Sequence, residues 1–271
     1  MPFTKPFTKP ANPAATPWRW ALAGVLTGLL LATVLLAPAR WLAALVQQTS
    51  GEQILLLAPQ GSLWQGSAQL MLSGGNGSRS AMALPGRLTW RLRPAWNGIH
   101  LQLSADCCTR QPLALQLTPA GWGSVQLTLA NGQSQWPASL LTGLGTPWNT
   151  VQPQGSLIAS TQDFSLKWVQ GRLNLTGHLQ IDANQISSRL STLQPMGSYR
   201  LMLQGEVGST PTLTLDTLEG SLQLNGQGQW VGQRLRFNGT ASAAPGSVEA
   251  LSNLLNIIGR RNGARAIIKV G

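Results

Sequence analysis

The sequence predicts a mainly β protein with a single transmembrane helix near its N-terminus. The helix is followed by a curved antiparallel meander, either a half-open sheet or a sandwich, with one short C-terminal helix. Three observations predict this fold class: an uncharged apolar run near the N-terminus, a succession of segments with apolar residues at every second position, and one helical pattern near the end. Only 10% of the residues are charged, compared with about 25% in an average soluble domain.

The apolar run predicts a transmembrane helix over residues 20–41. It carries no charge for about twenty residues, enough to cross a hydrocarbon core of about 30 Å. Trp18 and Trp20 at one end and Trp41 at the other are typical of the aromatic belts at membrane interfaces. A cleaved signal peptide is the alternative, since 37–39 is a small-residue stretch, but the length of the run favours an uncleaved anchor.

The flanking charges predict the direction of insertion. Three cations precede the helix, whereas after it Arg40, offset by Glu52, is the only cation before Arg79. Because positively charged flanks stay in the cytoplasm, we expect a cytoplasmic tail over 1–19 and a translocated β-domain over 42–271. The cations of the tail and its border are Lys5, Lys9 and Arg19.

The β-domain is predicted from alternation between apolar and polar residues. Arg87–Leu92, Leu113–Leu117 and Tyr199–Leu203 place Leu on one face of a strand and chiefly Gln, Thr, Arg or Asn on the other. Turn signals between such segments favour an antiparallel meander. Pro59–Leu63 recurs as Pro153–Leu157, which suggests two related half-sheets over about 50–145 and 150–271.

The C-terminal helix is predicted from its apolar spacing and its end signals. Ser247 is the expected N-cap, Glu249 falls in the expected first turn, and Gly259 is the expected stop. The apolar residues at helical spacing are Val248, Leu251, Leu254, Leu255 and Ile258. The following stretch, 266–270, is a candidate last strand.

The sequence offers no pattern that predicts catalysis, a cofactor or a metal site. His100 and His178 each lie in or beside an alternating strand, and no cluster of ligating residues accompanies them. Asp216 and Glu219 precede Gly220, which favours a solvated hairpin over acid–base chemistry. No nucleophile elbow, phosphate loop or dinucleotide fingerprint occurs. The cations are scattered singly along the strands, a pattern that argues against nucleic-acid binding.

The two cysteines, Cys107 and Cys108, are adjacent. One interpretation is a vicinal disulfide or a redox-sensitive pair. The other, which we favour from the sequence, is two loop or strand residues without chemistry, because nothing catalytic or metal-binding accompanies them.

Three places in the chain carry a family resemblance. The first is Gly61–Ala68, whose pattern residues are Gly61, Leu63, Trp64 and Gly66. The second is Pro195–Arg200, continued by Gly220, Leu222 and the stretch from Gly226 to Trp230. The third is Arg236–Ala241, followed by Ala250-Leu251 and Leu254–Arg261. In these places the chain resembles protein N of the bacterial type II (general) secretion pathway, although the Pro-rich N-terminal tail and the cysteine pair depart from that family.

The resemblance implies a single-pass protein of the cell inner membrane with a cytoplasmic N-terminus and a periplasmic bulk. It implies an accessory component that scaffolds or assembles periplasmic parts of the secretion machine, with other secretion subunits and the inner membrane as partners. It implies no enzyme, no catalytic residue, no cofactor, no nucleic acid and no small-molecule substrate. The alternative is a membrane-anchored periplasmic lipid-binding or lipid-transfer protein, since Leu-lined strands with few acids can cradle acyl chains.

Overall fold

A computed structural model describes residues 18–121, 123–169, 172–232 and 234–271. The chain divides into two compact units, residues 1–37 and 38–271. In the first unit, helix α1 (Trp18–Leu35) has a mean hydropathy of 1.6 and no buried residue. This confirms the predicted long apolar helix by length and composition. The predicted tail lies outside the described residues except for Trp18 and Arg19.

Over its described residues, the second unit begins with a short helix, α2 (Ala39–Thr49), and continues as a single antiparallel sheet of sixteen strands. Trp41 therefore lies in α2, beyond the end of α1. The strands are β1 (Ile54–Gly61), β2 (Gln65–Ser73), β3 (Ala81–Ala83), β4 (Leu88–Ala95), β5 (Gly98–Ala105), β6 (Leu113–Pro119), β7 (Val125–Leu129), β8 (Gly132–Pro137), β9 (Gln154–Val169), β10 (Arg172–Ser187), β11 (Gly197–Gly205), β12 (Thr212–Gly220), β13 (Leu222–Val231), β14 (Arg234–Ala243), β15 (Arg260–Asn262) and β16 (Arg265–Val270).

The sheet is open, and most strands pair with their neighbours in sequence. There are three exceptions. Both β3 and β4 pair with β2, and both β7 and β8 pair with β9. The third exception is β16, which lies between β14 and β15. Strands make up 53% of the described residues, and the half-open alternative of the prediction is confirmed. The pairing of β7 with β9 joins the regions predicted as two half-sheets, and their relatedness stays a prediction.

Register places the leucines of successive strands directly opposite one another. Leu92 pairs with Leu101, Leu101 with Leu115, and Leu115 with Leu129. Opposed residues of paired strands lie on the same face, so these leucines form one side of the sheet, here called the apolar face. The alternate residues, such as Arg93, His100 and Gln116, form the polar face.

Helical segments cover parts of the apolar face and create three cores. Near β1 to β4, Ala39 of α2 is buried with Ala68 and Trp90. A 3-10 helix (Ala138–Leu144) contributes Leu140 to a second core with Leu84. A one-turn helix, α3 (Trp148–Val151), adds Val151 to the margin of the third core. The buried members of the third core are Ala138, Ile186, Met196, Tyr199, Leu222, Ala241, Leu251, Leu254, Leu255 and Ala266.

The predicted C-terminal helix exists, as α4 (Ser252–Ile258), but it begins later than expected. Ser247 is not its N-cap and Glu249 is not in its first turn, because 248–251 form turns that precede the helix. The N–H of Leu251 already donates to the Ser247 carbonyl at 3.2 Å, so the apolar spacing extends over a looser turn before the helix. The candidate strand over 266–270 is β16.

Candidate interaction surfaces

The first motif forms the turn between β1 and β2. Gly61 has a φ of +87°, and a Cβ there would lie 2.5 Å from the Gln65 carbonyl oxygen. The N–H of Ser62 donates to that same carbonyl at 2.9 Å, and the Gln65 N–H donates to the Ser62 hydroxyl at 3.1 Å. Glycine is needed at position 61 because any other residue would be strained at this positive φ, and its Cβ would overlap the Gln65 carbonyl.

Trp90 of β4 packs into this turn. Its indole Nε1 donates to the Leu63 carbonyl at 3.1 Å, and its side chain is only 3% exposed. A Cβ on Gly66 would lie 2.5 Å from the Trp90 ring, so Gly66 provides the space that the indole occupies. The Trp64 carbonyl accepts from the Leu92 N–H at 2.7 Å. The motif therefore packs against β4, and the indole that it contacts belongs to Trp90, which is not part of the motif.

The second motif brings together two segments that are distant in sequence. Gly197 pairs with Gly220, and a Cβ on Gly220 would lie 2.2 Å from the Gly197 Cα. The Ser198 hydroxyl donates to Glu219 Oε1 at 2.9 Å, which joins the same two strands through side chains. The Leu222 N–H donates to the Met196 carbonyl at 3.1 Å. The close backbone approach explains the glycine on each strand.

The third motif packs on the second. The Phe237 ring lies over the backbone of β13, where a Cβ on Gly226 would approach it to 2.3 Å. Leu251, Leu254 and Leu255 belong to the same core as Met196 and Leu222. Trp230 is half-buried opposite Leu235 at the far end of β13. Two motifs that are separate in sequence thus form one packed unit.

The described residues contain one ion pair, between Arg200 of β11 and Asp182 of β10. Arg200 Nε donates to Asp182 Oδ1 at 2.7 Å, and its Nη2 donates to Oδ2 at 3.1 Å. The hydrogen bond from Arg200 lowers the pKa of Asp182, and the same bond raises the pKa of Arg200. The side chains are 38% and 20% exposed, so solvent screens the pair and its contribution to stability is below about 1 kcal/mol.

The buried hydroxyl of Tyr199 has no hydrogen-bond partner among the described residues. Burial raises the pKa of this phenol, because the charged form would lose its hydration. No catalytic group accompanies it, since its surroundings are the apolar third core. Tyr199 is therefore a packing residue.

The described part of the chain contains no group of three or more His, Cys, Asp or Glu residues that could hold a metal ion. His100 and His178 are exposed. The favoured interpretation of the two cysteines is wrong, because Cys107 and Cys108 form a disulfide in the turn after β5. Adjacency in sequence gave no reason to prefer the disulfide, since few backbone conformations bring neighbouring thiols together.

Among the described residues, four strands pair on one side only: β1 and β15 at the two ends of the sheet, and β3 and β8 beside the main path of strands. β1 pairs with β2 on one side, and Leu55, Leu56 and Leu57 lie in the part with regular register. At the other end β15 pairs with β16 on one side, but it has only three residues, two of which are arginines. Short charged edges resist pairing with another chain, so β1 is the better candidate for adding a partner strand.

A comparison with known families finds a match over most of the β-domain. The family model described as type II secretion system (T2SS), protein N, matches residues 52–268. The chain belongs to this family. The matched region of this T2SS protein N begins just before β1 and ends within β16, so it covers the β-domain and all three motifs. No curated protein and no solved structure matches the chain significantly.

Family membership confirms the resemblance and makes the chain a component of the type II secretion system. It also implies interaction with other subunits of that system. Helices α1 and α2 precede or only border the matched region, so the family assignment rests on the sheet and α4. The roles of the motif glycines and tryptophans in the family stay predictions.

Proposed function

We propose that this T2SS protein N is an accessory component of the inner membrane whose periplasmic β-domain scaffolds or assembles neighbouring secretion subunits. The observation that carries the proposal is the unpaired edge of β1 at the border of an otherwise continuous sheet. Such an edge offers backbone N–H and C=O groups to an incoming strand, and the side chains of that strand determine specificity.

The dimensions of β1 suit strand addition. Its eight residues extend for about 27 Å, which is long enough for a partner strand of ordinary length. Ala58 has a φ of +45° and the register shifts between Leu57 and Gln60, so the pairing surface is divided in two. The regular segment, Ile54–Leu57, is the part that we expect to bind.

The membrane placement follows from α1 and its flanking charges. We infer that α1 spans the inner membrane, because it is the apolar helix of a secretion component and cations precede it. The N-terminus then lies in the cytoplasm and the sheet in the periplasm. This arrangement tethers the β-domain to the membrane that α1 spans.

Site-specific crosslinking in native membranes tests the proposal. A photoreactive residue at Leu57, which is exposed on β1, should crosslink to another secretion subunit that mass spectrometry can identify. The matched control is the same residue at Asn225, exposed on β13 in the interior of the sheet. Equal yields at both positions, or no secretion subunit in the adducts, would contradict binding through β1. Normal export in a deletion strain with normal partner levels would contradict the accessory role itself.

A second candidate function is supported by the apolar face. Between the parts covered by helices, Ile99 and Leu117 face each other and are 42% and 37% exposed. A half-exposed row of aliphatic side chains in an open sheet can accommodate acyl chains. Lipid retained by the purified protein after detergent exchange would support a lipid carrier, whereas a scaffold should retain none.

A further inference from the structure

One end of the sheet gathers a particular set of turns. Because successive strands are antiparallel, the turns after β1, β4, β6, β11 and β13 all lie at one end, as do the ends of β9 and β16. We call this end the tip. The opposite end carries the turns after β2, β5, β10 and β12.

The tip exposes large apolar side chains. Trp96, in the turn after β4, is fully exposed, and Val207, in the turn after β11, is 92% exposed. Trp168 near the end of β9, Val125 at the start of β7, and Val231 at the end of β13 are also exposed. Single exposed apolar residues are ordinary, but several at one end of a sheet indicate an interaction surface.

The tip is also basic. Among the described residues, its turns contain one acid, Glu206, whereas five cations lie within three residues of the strand ends. These cations are Arg93, Lys167, Arg234, Arg236 and Lys269. None of them forms an ion pair with a described acid. The opposite end is mixed in charge, because its acids are accompanied by a larger number of arginines. These acids are Glu52, Asp106, Glu219 and Glu249, and the arginines are Arg79, Arg87, Arg110, Arg189, Arg261 and Arg265. The tip therefore differs from that end by having five cations and only one acid among the described residues.

The chain enters the β-domain at the tip. Pro38 forms an isolated β-bridge with Ser62 in the turn after β1. Helix α1 ends at Leu35, so only two residues of chain lie between its end and Pro38, a path of at most about 11 Å along the backbone. If α1 crosses the membrane, the tip is the part of the domain that is joined to the membrane helix by the shortest stretch of chain.

We propose that the tip binds the membrane surface through anionic phospholipid headgroups, with Trp96 and Val207 in the interfacial region. The cations complement the negative surface of the leaflet, and indole rings are favoured where apolar and hydrated layers meet. The strands then extend away from the bilayer, with the opposite end of the sheet outward. This surface is distinct from the β1 edge and does not require that edge to bind another subunit.

The test uses the full-length protein in vesicles of phosphatidylethanolamine and phosphatidylglycerol without any other protein. An environment-sensitive fluorophore is attached through Val207→Cys, and the control carries it through Asn76→Cys in an exposed turn of the opposite end. Labelling proceeds without reductant, so that the Cys107–Cys108 disulfide stays closed. We expect blue-shifted emission and quenching by spin-labelled lipid at position 207, with neither effect at position 76.

Charge variants test the choice of ligand. Arg93→Gln with Lys167→Gln should reduce the blue shift at position 207, whereas Arg110→Gln with Arg189→Gln, exposed cations of the opposite end, should leave it unchanged. Vesicles of phosphatidylcholine alone should also reduce it. Equal emission at both labelled positions would overturn the proposal, as would an unchanged blue shift in phosphatidylcholine. A blue shift that appears only when other secretion subunits are added would assign the tip to a protein partner and overturn it as well.

Because these vesicles hold no other subunit, a negative result here leaves the proposed role of β1 intact. Conversely, failure of the crosslinks at β1 would not change the emission at position 207. The two proposals are therefore decided by separate measurements.

Discussion

The indole of Trp90 donates a hydrogen bond to the backbone carbonyl of Leu63, 27 residues earlier, at 3.1 Å. This contact joins β4 to the turn between β1 and β2 and places an aromatic ring against Gly66. A short glycine-rich motif thus forms the packing site for a tryptophan from another strand. We therefore expect changes in this contact, and in the other packed or paired groups of the sheet, to alter the stability of the protein.

Gly66→Val should destabilise the protein by about 2 kcal/mol, because the new side chain would overlap the Trp90 ring and the Gln60 carbonyl. The measurement is the free energy of unfolding of the full-length protein in detergent, followed by tryptophan fluorescence. Gly132→Ala is the control, since its nearest neighbour lies at 3.9 Å and the position is exposed. A Gly66 variant as stable as the control would show that the indole does not occupy this space.

Tyr199→Phe should leave stability unchanged or raise it by up to about 1 kcal/mol. The Tyr199 hydroxyl is buried without a partner, so removing it removes a desolvated polar group while the ring keeps its packing. Tyr199→Ala, in contrast, should cost about 3 kcal/mol by opening a cavity in the third core. Chemical denaturation compares the three proteins. A large loss in the Phe variant would reveal a hydrogen bond to this hydroxyl.

Acid should weaken the pair between Asp182 and Arg200. The pKa of Asp182 is lowered from 3.8 in the folded protein, chiefly by its hydrogen bond from Arg200. Its stabilisation is therefore present above the unfolded pKa and is lost as pH falls through the folded value. The wild-type protein loses stability between neutral pH and strongly acidic pH. Asp182→Asn should make this loss smaller, by less than about 1 kcal/mol. Glu206→Gln is the control, since it also removes one carboxylate but at an exposed acid without an ion pair. Identical profiles for wild type and Asp182→Asn would argue against a folded-state pair.

Leu254→Ala should destabilise the protein by about 3 kcal/mol, because Leu254 is fully buried between α4 and the sheet. Ile257→Ala in the same helix should cost less than about 1 kcal/mol, since Ile257 is exposed. Thermal unfolding of the two variants provides a comparison in which helix propensity changes little. Similar losses for both would mean that α4 does not pack as described.

Sequence patterns predicted the β-domain well where one interaction dominates. Alternation placed Leu113–Leu117 and Tyr199–Leu203 in strands, because a strand that is buried on one side needs an apolar residue at every second position. The apolar spacing around Leu254 and Leu255 also predicted a helix and its buried side. The start of α4 could not be predicted, because Ser247 and Glu249 satisfy the same capping pattern in a turn that does not continue as a helix.

The sequence by itself determined the elements: the apolar helix, the alternating strands, the motif glycines and the likeness to T2SS protein N. Only the tertiary structure decided which residues meet, such as Trp90 with Leu63, Gly197 with Gly220, and Cys107 with Cys108. It also decided that the exposed valines and tryptophans of distant turns share one end of the sheet with the start of the domain at Pro38. The reason is physical: periodicity reports the local distinction between buried and exposed, whereas contacts across many residues depend on strand order and register, which no local pattern contains.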